Sequence, residues 1–172
     1  MEKKPSKLKL LCCNCMKNWI KLTICLAIPQ IVGFTSGFFT VTNVASWYKQ
    51  IIKPEWNPPN WIFGPVWTAL YLMMGIALYL IWKSNTSVEK KRAAIILWSV
   101  QLLLNFFWSF IFFTQHQIGW ALVEIICLWL LILFTIFSFA SISKTAAWLL
   151  VPYISWVSFA ALLNYAIWEL NK

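Results

Sequence analysis

Apolar residues fall along this chain in five long runs, 20–44, 61–82, 93–114, 118–141 and 146–168, separated by polar links. At about 1.5 Å of rise per residue, a helix of about 20 residues crosses the roughly 30 Å hydrocarbon core of a bilayer. Each run meets that length, so the pattern predicts five spans. The link 45–60 is the longest and carries Pro54, Pro58 and Pro59. The link 115–117 is nearly a bare turn, which makes the third and fourth spans antiparallel neighbours. The expected fold is an all-α integral membrane protein, a bundle of five transmembrane helices over residues 20–172. A basic, cysteine-containing arm, 1–19, is expected on the cytoplasmic side. The first run is too long for a signal peptide core and is read as a retained span.

Composition strengthens this reading. Of 172 residues, 61% are hydrophobic and only 11% are charged, against about 25% charged in ordinary soluble domains. Mean hydropathy is +0.71. A net charge of +9 raises the question of nucleic acid, but the basic residues form no stripe on a polar domain. They gather in the arm (Lys3, Lys4, Lys7, Lys9, Lys17, Lys21) and in one short link (Lys83, Lys90, Lys91, Arg92). The expected partner is therefore a lipid bilayer and not a nucleic acid. Counting Lys and Arg gives eleven on the side of the N-terminus and three on the other. By the positive-inside rule the N-terminus is cytoplasmic and the C-terminus outside. A plasma membrane fits this count best, and an organelle membrane is compatible with it.

The cysteines form no disulfide framework. Cys25 and Cys127 lie within spans, as small apolar filler. Cys12, Cys13 and Cys15 lie beside the first span, where they suit either lipidation or free thiols. No metal cluster, phosphate loop or Ser-His-Asp set is present. The one histidine, His116, sits in the tight turn and is expected to be solvated, with haem ligation as the alternative. Gly33 and Gly37 form a G-x-x-x-G, a face for close helix approach and for dimerisation.

Glu124 lies inside the fourth run. Ionisable groups within spans cost free energy and usually face a protein interior or a cavity; a neutral packing role is the alternative. Many of the tryptophans lie near span ends, where an interfacial belt explains them. Trp67, Trp108, Trp129 and Trp156 lie deeper, and their indole N–H groups need partners that lipid lacks. From the helical rise, Trp67, Trp108 and Glu124 fall roughly 9 Å beneath the outer face, Ala160 roughly 12 Å, Asn105 roughly 13 Å and Trp156 roughly 18 Å. Gln101, Asn105, Trp108 and Phe112 share one helical stripe; Pro152, Trp156, Ala160, Leu163 and Asn164 share another. These residues converge in the outer half of the bilayer, beneath the proline-rich link. Asn105 and Gln101 alternatively serve only to join helices.

Several blocks are specific. Lys53-Pro54-Glu55-Trp56-Asn57-Pro58-Pro59 is followed by Phe63-Gly64-Pro65-Val66-Trp67. Leu104-Asn105 with Trp108 comes next, then Gly119-Trp120-Ala121-Leu122-Val123-Glu124. A third block runs from Ala147-Trp148 through Pro152, Tyr153 and Trp156 to Leu163-Asn164-Tyr165. In this order they resemble the translocator protein, or tryptophan-rich sensory protein, family (TspO/MBR). The resemblance implies a five-helix membrane fold, often dimeric, that binds porphyrins and haem and, in animals, cholesterol. It places ligand-lining positions on Phe63, Trp67, Asn105, Trp108 and Trp120. It adds Val123, Trp156, Ala160 and Leu163, with the family's buried acid on Glu124. The animal sterol motif is incomplete here: Glu169 stands where an Arg is required, and Lys172 is one residue too distant from Tyr165. Specific sterol binding is therefore not expected.

The functional expectation is a membrane binding protein for tetrapyrroles (protoporphyrin IX or haem as ligand, with no obligatory cofactor), acting as a regulator or carrier, as a homodimer. A proton-coupled transporter using Glu124 and a light-dependent porphyrin-degrading enzyme using Trp67 and Trp156 are the alternatives.

Overall fold

The computed structural model describes the backbone of residues 7–44 and 46–172, and the side chains of residues 18–44 and 46–172. The thiols of Cys12, Cys13 and Cys15, and their lipidation, lie outside the described side chains. Seven α-helices are described: α1 (Lys7–Val44), α2 (Trp47–Gln50), α3 (Phe63–Lys83), α4 (Val88–Ser109), α5 (Ile118–Ala140), α6 (Lys144–Trp148) and α7 (Val151–Leu170). Together they make five segments long and apolar enough to cross a membrane. The protein is a multi-pass integral membrane protein, as the apolar runs predict. Its outward faces carry large apolar side chains such as Ile31 and Phe38 on α1 and Phe134 and Phe137 on α5. In water such a surface would be a liability; against acyl chains it costs nothing.

The helices close a ring. α1 packs on α3 and α4, α4 on α5, α5 on α6 and α7, and α6 back on α3. The contact of α1 with α3 has a local cause. Pro29 lies inside α1 and has no N–H to give the carbonyl four residues earlier, that of Cys25. That carbonyl points at Gly75 of α3. A Cβ on Gly75 would lie 2.7 Å from the Cys25 oxygen and 2.9 Å from Leu26 Cα. Only glycine lets the two backbones meet this closely.

Two spans are less regular than the apolar runs suggest. The third widens after Ser109 into a π-type turn over Phe110–Thr114. It then reverses through His116, whose φ is 57°. The fifth is not one helix: α6 ends at Trp148, and α7 begins at Val151 with Pro152 in its first turn. A proline suits that first turn, and having no N–H it cannot bond back to the Trp148 carbonyl to continue α6. Ser143 caps α6 by accepting the amide of Ala146 at 3.3 Å.

The link is pinned over one end of the bundle through residues 46–60. Asn171, just past α7, accepts the Ile52 amide at 3.0 Å and donates to the Ile52 carbonyl at 2.8 Å. The buried Tyr48 hydroxyl donates to Asn57 Oδ1 at 2.9 Å, and burial pushes its phenol up to about 12. Trp47 stacks on His116 with ring centres 4.3 Å apart. His116 is exposed, as expected of a turn residue, but it is a packing partner and not merely solvated.

Overpacking a close helix contact typically costs about 1–3 kcal/mol. Gly75→Ala should therefore lower the thermal unfolding midpoint in detergent, whereas Gly37→Ala, with nothing within 4 Å of its added Cβ, should leave it level or raise it. Equal midpoints for the two variants would contradict the close approach of α1 and α3.

Candidate functional site

Beneath the link lies a cavity of about 720 Å³, walled by α1, α3, the α4 end and α7. Its walls are mainly aromatic. Trp67 stacks on Tyr71 with centroids 5.4 Å apart and meets Tyr153 edge-on at 6.2 Å. Phe63 packs edge-on against Trp156 at 5.9 Å. Trp108 lies parallel to Phe112 at 5.3 Å. The rim includes exposed side chains of α1, Phe34 and Val41, and Trp61 in the turn just before α3, so the cavity opens between these two helices.

A polar network holds the walls in place. The Tyr71 hydroxyl donates to Asn105 Oδ1 at 2.6 Å, and Asn105 Nδ2 donates to the Tyr153 hydroxyl at 3.1 Å. One amide thus ties α3, α4 and α7. Trp108 Nε1 donates to Asn164 Oδ1 at 3.1 Å, and Asn164 Nδ2 donates to the Ile118 carbonyl at 3.0 Å. Trp129 Nε1 donates to Ser158 at 2.8 Å. Trp156 differs: it borders the cavity, and its buried Nε1 has no partner among the described residues.

Of the residues singled out in the sequence, Phe63, Trp67, Trp108, Trp156, Ala160 and Leu163 line this cavity. Asn105 does not; it is buried behind the wall, holding the two tyrosines. Trp120 and Val123 do not either. They are 68% and 53% exposed, on the outward face of α5. The inward stripe of α5 is Ala121, Ile125, Leu128 and Ile132, which turns Trp120 and Val123 away. Glu124 falls beside that stripe, outside the cavity lining, and both its carboxyl oxygens are buried without a partner among the described residues. Gln101 is buried with its amide likewise unpartnered.

Sequence reasoning missed Tyr71 and Tyr153. The signal was there: Tyr71 lies four residues after Trp67, on the same face, and Tyr153 follows Pro152 on the inward stripe of α7. The G-x-x-x-G has a use inside the chain. A Cβ at Gly33 would overlap the Tyr71 ring, while Gly37 borders open cavity. The small residues of α1 therefore make room for Tyr71 and for the cavity. Among the described residues no His/Cys/Asp/Glu group is arranged to hold a metal ion.

Residues 25–169 match the family model described as "TspO/MBR family". The chain is 41% identical over 155 residues to "Tryptophan-rich protein TspO" of Chlorobaculum tepidum, covering 90% of this chain and 98% of that protein. It is 36% identical to "Translocator protein" of Bos taurus, covering 90% and 92% of the two chains. It is 33% identical to "Tryptophan-rich sensory protein" of Cereibacter sphaeroides, covering 73% and 77%.

Removing one partner of a buried hydrogen bond leaves the other group unpaired, at about 1–3 kcal/mol. Asn105→Leu leaves two tyrosine hydroxyls without Asn105 and should lower the unfolding midpoint by more than Tyr71→Phe does. Circular dichroism during heating in detergent reads both. Equal stability of Asn105→Leu and the parent would refute the role given to this amide.

Proposed function

The chain belongs to the TspO/MBR family, and we propose that it binds a flat, largely apolar ligand of the tetrapyrrole class, protoporphyrin IX or haem, in the cavity beneath the link 45–60. The proposed role is regulatory or that of a carrier. The observation that carries the reading is the cavity of about 720 Å³ walled by the rings of Trp67, Trp108, Phe63 and Trp156. Ligand pockets generally fall within about 300–1,000 Å³ and are lined by apolar and aromatic groups with a few placed polar ones. A macrocycle would offer its faces to the indoles that wall the cavity. Ala160, small beside bulky neighbours, keeps the space next to Trp156 open. The positive-inside count supports an extracytoplasmic position for this end of the bundle.

A second reading has its own observation. The carboxyl oxygens of Glu124 are buried without a partner, and an unpaired carboxylate in such surroundings is costly. In a proton-coupled transporter this group would take up and release a proton as cargo crosses.

Titration of protoporphyrin IX into purified protein, followed by tryptophan quenching, tests the first reading. An aromatic pair contributes about 0.5–1.5 kcal/mol beyond area burial, so Trp67→Phe with Trp156→Phe should weaken binding about tenfold. Ala160→Phe, which fills the space, should weaken it at least as much. Unchanged affinity in both variants would remove the ligand from this cavity. Flux into proteoliposomes that follows a pH gradient and vanishes in Glu124→Gln would instead favour the transporter.

A further inference from the structure

We infer that Lys49 forms a carboxylate subsite at the edge of the cavity, so that the protein selects ligands with an apolar aromatic body and an anionic edge over neutral ligands of the same shape. The inference rests on the tetrapyrrole reading of the cavity and adds a determinant of specificity to it.

Four observations point to it. The cavity walls are apolar over most of their extent, and Lys49 is the one cationic residue among those described that line it. The other lysine of the link is engaged: Lys53 Nζ donates to the Tyr48 carbonyl and lies 4.7 Å over the Tyr48 ring. Lys49 has no hydrogen-bond or ion-pair partner among the described residues, where the recorded ion pair is Lys172 with Glu169. Finally, Lys49 is exposed and stands on the short helix α2, anchored by the two residues before it. Tyr48 is buried and bonded to Asn57, and Trp47 is stacked on His116. The backbone that carries Lys49 is thus fixed while its side chain stays free to reach a ligand.

The chemistry is simple. A protoporphyrin carries two propionate groups on one edge, and both are ionised near neutral pH. Their burial in the aromatic cage would be unfavourable. The macrocycle therefore enters with its apolar edge leading and leaves the propionates at the rim, beside Lys49 and the exposed Asn60. An ammonium group at this place attracts either carboxylate. Asn60 adds an amide donor. A sterol or an esterified porphyrin brings no charge for the ammonium to attract.

The test compares protoporphyrin IX with its dimethyl ester, which keeps the macrocycle and removes both charges. Binding to purified full-length protein in detergent is read by tryptophan quenching, for the parent, Lys49→Gln and Lys49→Arg, at low and high salt. Exposed ion pairs are modest, so the expected loss for the free acid in Lys49→Gln is about two- to five-fold. It should shrink at high salt and be restored in Lys49→Arg. Affinity for the dimethyl ester should be the same in all three proteins. Equal loss for acid and ester, or no loss for the acid, overturns the Lys49 subsite while the tetrapyrrole reading stands. Failure of the parent to bind either compound overturns the tetrapyrrole reading itself.

Discussion

Lipid supplies no hydrogen bonds, so every polar side chain within the bundle must be satisfied by the protein or carry a cost. The structure depends most on how it meets this constraint at Asn105. That single amide accepts from Tyr71 and donates to Tyr153, joining α3, α4 and α7. The two tyrosines then orient Trp67, which stacks on one and meets the other edge-on. The cavity wall at Trp67 is therefore held from behind by hydrogen bonds to Asn105. Asn164 repeats the device between Trp108 and the start of α5. Glu124, Gln101 and the indole of Trp156 stand apart, with buried polar atoms the network does not reach.

Small residues and one proline make the space that this network frames. Pro29 releases the Cys25 carbonyl, and Gly75 admits it, so α1 and α3 meet backbone to backbone at that level. Further along, Gly33 gives way to the Tyr71 ring and Gly37 borders the open cavity. Both effects come from the same pair of helices. Close contact in one half of the bundle and an aromatic-lined opening in the other follow from where α1 places its glycines and its proline.

Residues 46–60 of the link cover the cavity. Past α2 its prolines disfavour further helix, and Asn171 holds it to the end of α7 through both polar groups of one peptide residue. Trp47 on His116 adds a second anchor, on the turn between α4 and α5. The cover is thus tied to the helices on either side of the chamber, and the edge between α1 and α3 is where the cavity opens.

The spans were legible in the sequence because the bilayer imposes a length and an apolar composition that leave few alternatives. The family was legible because its blocks are long and ordered. Residues Trp67, Trp108, Trp156, Ala160 and Leu163 could be placed together from depth and stripe, and Phe63 from the family resemblance. Helix rotation could not: the resemblance put Trp120 and Val123 on the ligand, but they point outward, because Ala121, Ile125 and Leu128 take the inward face of α5. Depth is set by counting residues along one helix. Rotation is set by which neighbour packs there, and that is a property of the assembled bundle. The same reason explains why Asn105 stands behind the wall and not in it, why the glycines of α1 are used within the chain, and why the fifth span breaks before Pro152. Local composition determined that these helices exist and how deep each residue lies; only their mutual packing decided which side chains share a surface.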